Sequence, residues 1–116
     1  MGPVTPEEFD ELVGEALDSI PARLAQAMDN VVVMVEDRPP ADQPGLLGLY
    51  EGIPLIERDG GYFGVLPDRI TIYREPILAR CSNRDEVVEE VRVTVVHEVA
   101  HHFGIDDDEL DDLGYA

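Results

Sequence analysis

The chain has no tryptophan, one cysteine, no long apolar run and only eight basic residues among 116. Each scarcity excludes something. A lone cysteine, Cys81, leaves no intrachain disulfide framework and is compatible with a reducing cytosol. It reads as a small apolar filler rather than a reactive thiol. No apolar stretch approaches the ~20 residues of a membrane span. The N-terminal Met1-Gly2-Pro3-Val4-Thr5-Pro6-Glu7-Glu8 lacks the basic and then apolar regions of a secretory leader, and no pro-segment stands out. A cytoplasmic protein with no membrane partner is the expectation. Against eight basic residues stand 26 acidic ones, a formal charge of −18. A field of that sign repels phosphate, which excludes nucleic acid and anionic membranes as partners. It attracts cations, including metal ions and basic peptides, although the plainer reading is that the acidity aids solubility.

What is present fits one domain, residues 1–116, with a single modest core. Thr5 is a natural N-cap, Pro6 suits the first helical position, and Glu8 completes a capping box. Phe9, Leu12, Val13, Ala16, Leu17 and Ile20 then repeat at helical spacing, one apolar stripe facing a core. Pro21 breaks the pattern, and Ala22 to Met28 form a second, shorter helix that Asn30 ends. Val31 to Glu36, a β-branched run with few polar breaks, predicts a central strand. Arg38 to Gly45 is a proline-rich loop, and Leu46 to Ile56, interrupted by Gly48, Gly52 and Pro54, predicts a short irregular strand. Asp59-Gly60-Gly61 is a turn across which Tyr62 to Leu66 pairs weakly. In Arg69 to Arg74, Ile70 and Ile72 alternate with polar neighbours, which predicts a half-exposed, antiparallel strand at a sheet edge, ended by Pro76.

Signals conflict over residues 84–103. Val91 to Val95 alternates as a strand would, but Asn83 and Glu86 make a capping pair and the run to Gly104 is far too long for a strand. On a helical wheel Val88, Val91, Val95, Val96, Val99 and Phe103 fill one arc, while Glu90, Thr94, His97 and His101 lie opposite. Helix is the reading adopted.

All three histidines fall in His97-Glu98-Val99-Ala100-His101-His102-Phe103-Gly104-Ile105-Asp106-Asp107, which reads H-E-x-x-H-x-x-G-x-x-D. Residues four apart lie one above the other on a helix, so His97 and His101 present two imidazoles to one point. A strand would separate them by about 13 Å, beyond the reach of one metal ion. Glu98 sits beside them, off their axis, where it can serve a water on the metal as general base. Gly104 can stop the helix and turn the chain, so that Asp107 supplies a third ligand, with Asp106 and Asp108 as alternatives within the same acidic cluster. Two imidazoles and a carboxylate leave one position of a zinc ion open, the pattern of catalytic zinc. The bland readings are histidines decorating a helix end and a solvated surface glutamate. Asp106 or Asp108 also suits the N-cap of a short final helix through Leu110 and Leu113. His102 reads as a packing residue, and Tyr73 and Tyr115 read as packing more simply than as donors to a reacting carbonyl.

This motif looks like the metal-binding signature of zincin metallopeptidases, in the variant where aspartate replaces the third histidine of metzincins. With Leu46-Leu47-Gly48-Leu49-Tyr50-Glu51-Gly52-Ile53-Pro54, Pro67-Asp68-Arg69-Ile70-Thr71-Ile72-Tyr73 and Val95-Val96-His97-Glu98, nearly the whole chain resembles the compact bacterial minimal zincins. The resemblance implies an α+β fold, an N-terminal helix and a long motif helix on a small mixed sheet, followed by a short C-terminal helix. It also implies zinc held by His97, His101 and Asp107, with Glu98 as base. Only 12 residues follow Gly104, none of them methionine. The Met-turn and the lower cleft wall of larger metzincins are therefore expected to be missing.

The expected function is a zinc-dependent hydrolase, foremost a metallopeptidase, acting on a peptide or protein substrate of basic character. Ile70, Thr71, Ile72, Tyr73 and Arg74 are the candidate substrate strand, by β-augmentation. The alternatives are a catalytically silent binding module on the same scaffold and, disfavoured by the charge, a zinc nuclease.

Overall fold

A computed structural model of the chain describes residues 2–28, 31–52, 68–105 and 108. Helix α1 (Pro6–Asp18) starts as its cap predicts: Thr5 Oγ1 accepts from the Glu8 N–H at 3.1 Å, and Pro6 spends no amide in the first turn. Its stripe of Phe9, Leu12, Val13 and Ala16 is buried. Pro21 then caps the short α2 (Ala22–Ala27), which buries Leu24.

Among the described residues three strands follow, β1 (Val31–Glu36), β2 (Gly48–Glu51) and β3 (Asp68–Tyr73), in the order β1-β3-β2. β3 runs parallel to β1 and antiparallel to β2, so the sheet is small and mixed. The expected strand roles are exchanged. Val31 to Glu36 is an outer strand whose Val32 and Met34 are 43% and 46% exposed, while Val31, Val33 and Val35 pack on the core. The predicted edge, Arg69 to Tyr73, is the centre of the sheet. Thr71 and Tyr73, counted as polar breaks, are only 5% and 3% exposed, because both side chains are good strand formers that bury well. Pro76 does not simply end this strand. It lies in the first turn of α3 (Arg74–Ala79), a helix not anticipated, where a missing amide costs nothing. The Glu75 N–H donates to Asp37 O at 3.0 Å, and Arg74 and Arg38 pair with Asp37 and Glu75, fixing this corner to the loop after β1.

Helix α4 (Arg84–His102) carries the motif. Asn83 accepts from the Glu86 N–H at 2.8 Å, and the Glu86 carboxylate reaches back to the Ser82 N–H at 2.8 Å. The valine alternation is therefore helical. Val87, Val91, Val95 and Val99 form the buried spine, joined by Thr94, Val96 and Ala100. Val88 is only half-buried and Phe103 is 46% exposed, so the arc is rotated from the expected one. One face of α4 meets the α1 stripe and another covers the sheet face bearing Gly48, Tyr50, Ile70 and Ile72. The architecture is α+β. The turn at residues 59–61, the pairing of 62–66 and the final helix at 110–113 lie outside the described residues.

Candidate metal centre

Helical spacing turns His97 and His101 to the same side of α4. Their ring centroids are 6.4 Å apart and their planes differ by 13°, about half the separation a strand would impose. Both line a cleft of about 450 Å³ together with Glu98, Glu90, Val93 and Thr94 on α4, Arg80 after α3, and Gly45 to Gly48 leading into β2. A depression of about 490 Å³ lies elsewhere, between Pro39, Pro40, Pro44 and Pro76, and its charged residues Arg38 and Glu75 pair with each other. The smaller cleft holds the chemistry. There Glu98 is half-buried, and burial pushes its carboxyl above the ordinary carboxylate range while the charges of His101 and His97 oppose the shift.

The helix ends as the glycine foretold. Gly104 takes φ +71°, the left-handed region. The Ile105 N–H donates to Ala100 O at 2.8 Å and the Gly104 N–H to His101 O at 3.5 Å. These are the two bonds of a Schellman turn, closed by Ile105 packing back on the core. Asp106 and Asp107 lie outside the described residues, and Asp108 is exposed. Among the described residues no third ligating side chain joins the two histidines. Two imidazoles on one helix face, beside a half-buried carboxylate, are a donor set suited to zinc, and the chain past Gly104 carries the carboxylates that can complete it.

His102 belongs to the other flank of the helix. Its ring stacks on Tyr50 (centroids 3.9 Å, 19°), and its Nε2 is 3.7 Å from Asp68 Oδ2, which accepts the Tyr50 hydroxyl at 2.7 Å. Tyr50 and Asp68 come from adjacent strands, a pairing invisible to a local reading. Tyr73 points to the opposite face of the sheet from Ile72 and Gly48, away from the cleft, and Tyr115 lies outside the described residues.

The expected substrate strand is overturned. Ile70 and Ile72 are fully buried and Thr71 and Tyr73 nearly so, with neighbours on both sides. Arg74 begins α3 and donates to Asp37 and to Val4 O. No peptide can add to a strand already paired on both edges. The residues that do line the cleft from outside the motif were partly legible: Glu90 and Thr94 share the helical face of His97. Nothing local marked Arg80 or Leu46 to Gly48.

The sequence pattern of zincin-like metallopeptidases matches residues 28–115, three quarters of the chain. The chain belongs to that family. No curated protein is similar to this zincin-like chain by sequence. A solved structure described as a conserved hypothetical protein from Thermo thermophilus is 29% identical, with a TM-score of 0.59, over 86% of this chain and 94% of its own. The family implies zinc-peptidase chemistry in general terms. No described helix of this zincin-like chain is long and apolar enough to cross a membrane.

Proposed function

We propose that the chain is a cytoplasmic zinc-dependent hydrolase that cleaves peptide amide bonds. The observation that carries this reading is the pair of near-parallel imidazoles opening on one cleft beside the half-buried Glu98. His97, His101 and, by its offset from the Gly104 turn, Asp107 would hold the ion, with Asp106 or Asp108 the alternative third donors. Zinc supplies a Lewis acid that polarises a carbonyl and acidifies water. Glu98 would take the proton of the attacking water and return it to the departing amine, a role its place beside the two imidazoles in the cleft allows. His102 stacks on Tyr50 and steadies the last turn of α4, hence the direction of His101. Substrate lies along β2 rather than β3. In an antiparallel ladder begun by the Tyr73 N–H to Leu47 O bond (3.0 Å), Gly48 and Tyr50 turn their backbone groups away from β3. Among the described residues that edge of β2 has no partner strand. The net charge of −18 favours peptides with basic side chains.

Metal analysis of the purified protein is expected to return one zinc per chain, lost in His97→Ala and reduced in Asp107→Ala. Glu98→Gln keeps the metal and lowers hydrolysis of a peptide pool by about 10²–10⁴-fold. Stoichiometric zinc with no cleavage of any peptide points instead to a silent binding module. Absence of zinc sinks the hydrolase reading and leaves the binding module.

A further inference from the structure

The cleft does not end at the histidines. It continues along α4 to Thr94 and then Glu90, which is seven residues before His97, about 10 Å at 1.5 Å per helical residue. There Glu90 Oε1 meets Arg80 Nε at 3.2 Å. The Glu90 side chain is mostly covered, 23% exposed, whereas that of Arg80 is 61% exposed. Glu90 therefore pairs by charge with the inner nitrogen of the guanidinium and draws the group to the end of the cleft. The two terminal nitrogens, a planar fork matched to a carboxylate, have no partner among the described residues.

β2 runs beside α4 in the same direction. Its first residue, Gly48, abuts Thr94, and its third, Tyr50, stacks on His102. A peptide pairing antiparallel with β2, the more stable arrangement, runs the opposite way. Its C-terminal side points from the histidines toward Arg80. At about 3.3 Å per extended residue, the 10 Å interval holds about three residues beyond the bond to be cut.

We propose that Arg80, positioned by Glu90, is an anchor for a carboxylate on the leaving-group side of the substrate, so that the enzyme prefers short peptides whose free C-terminus lies about three residues past the scissile bond. This rests on the peptidase reading above. In a molecule of charge −18 a carboxylate is repelled almost everywhere, which makes one guanidinium in the cleft selective as well as attractive.

The test reads binding, not turnover. Glu98→Gln protein is titrated by fluorescence anisotropy with a labelled alanine-leucine hexapeptide as free acid, as C-terminal amide, and as amide ending in glutamate. The free acid is expected to bind about tenfold tighter than the amide, the size of one charge-assisted contact near a surface. The advantage shrinks with added salt and disappears in Arg80→Met, with Arg80→Lys retaining part of it. If the glutamate amide regains the advantage, the anchor takes any carboxylate at that reach; if it does not, the terminal carboxylate is the feature read. Equal binding of acid and amide overturns the anchor alone. Failure of all three peptides to bind overturns the anchor together with the peptidase reading.

Discussion

Tyr50 shows how much one side chain outside the motif contributes. It bridges two strands through Asp68 and provides the surface on which His102 stacks. Burial, reinforced by the Asp68 hydrogen bond and charge, pushes its phenol well above the ordinary value near 10. The folded state thus holds the proton more tightly than the unfolded one. Its contribution to stability is complete below pH ~10 and is lost as pH rises from there toward the folded-state value. In a spectrophotometric titration Tyr50 is expected to ionise last of the four tyrosines, with Tyr50→Phe removing that final step. If the step survives the substitution, the assignment is wrong. Cys81 behaves similarly: burial, then Glu90 and Glu86, push its thiol up, in keeping with the filler role its sequence suggested. What was legible at this scale was whatever lay within one helical turn, such as the Thr5 and Asn83 caps, the 97/101 pair and Gly104. Arg80 and Asp68 reach their partners only through the fold, and no local pattern could name them.

Among the elements, the contact between β2 and α4 sets the width of the cleft. A Cβ at Gly48 would stand 2.7 Å from Thr94 Cγ2 and 3.3 Å from Thr71 O. Thr94 is packed in, at 8% exposed, and Thr71 O belongs to the backbone of the central strand, so the added methyl must push the helix and sheet apart. Gly48→Ala is expected to cost about 1–3 kcal/mol by overpacking, measured by urea denaturation. Thr94→Ser removes the offending methyl, and the double variant should cost less than the two single costs combined. Strict additivity would show that the strand and helix do not meet there. Helices were read from sequence more securely than strands, for a physical reason. Caps and stripes are local, whereas strand order depends on which chains meet at long range. Val31 to Glu36 looked central because valine tolerates an exposed strand face. Tyr73-Arg74-Glu75-Pro76 looked like a strand end because proline also opens helices.

At the scale of the whole molecule two electrostatic effects compete. Arg38, Arg69, Arg74, Arg80, Arg84 and Arg92 each pair with a carboxylate, several of them joining different elements. Pairs at a surface add little to stability one by one, because water screens them and their long side chains must be held still. Against them stands the self-repulsion of a −18 chain. Raising ionic strength from about 0.01 to 0.15 M shortens the screening length from about 30 to 8 Å. Repulsion acting across the molecule is cut more than contact pairs are, so the thermal midpoint is expected to rise with sodium chloride. A falling midpoint would mean that the ion pairs dominate. The fold class and the shared face of His97 and His101 were readable in advance because composition, caps and a four-residue spacing are local, while the places of the strands were not, since they depend on which segments meet at long range. The Schellman turn also determines where the chain leaves the motif helix. With Ile105 packed back against the core, the chain is pinned one residue past Gly104, so an offset counted in sequence from His101 starts in space from Ile105. For the ligand set proposed above, the loop closed on binding zinc is then counted over two residues, 106 and 107, rather than six, and a shorter loop loses less entropy on closure.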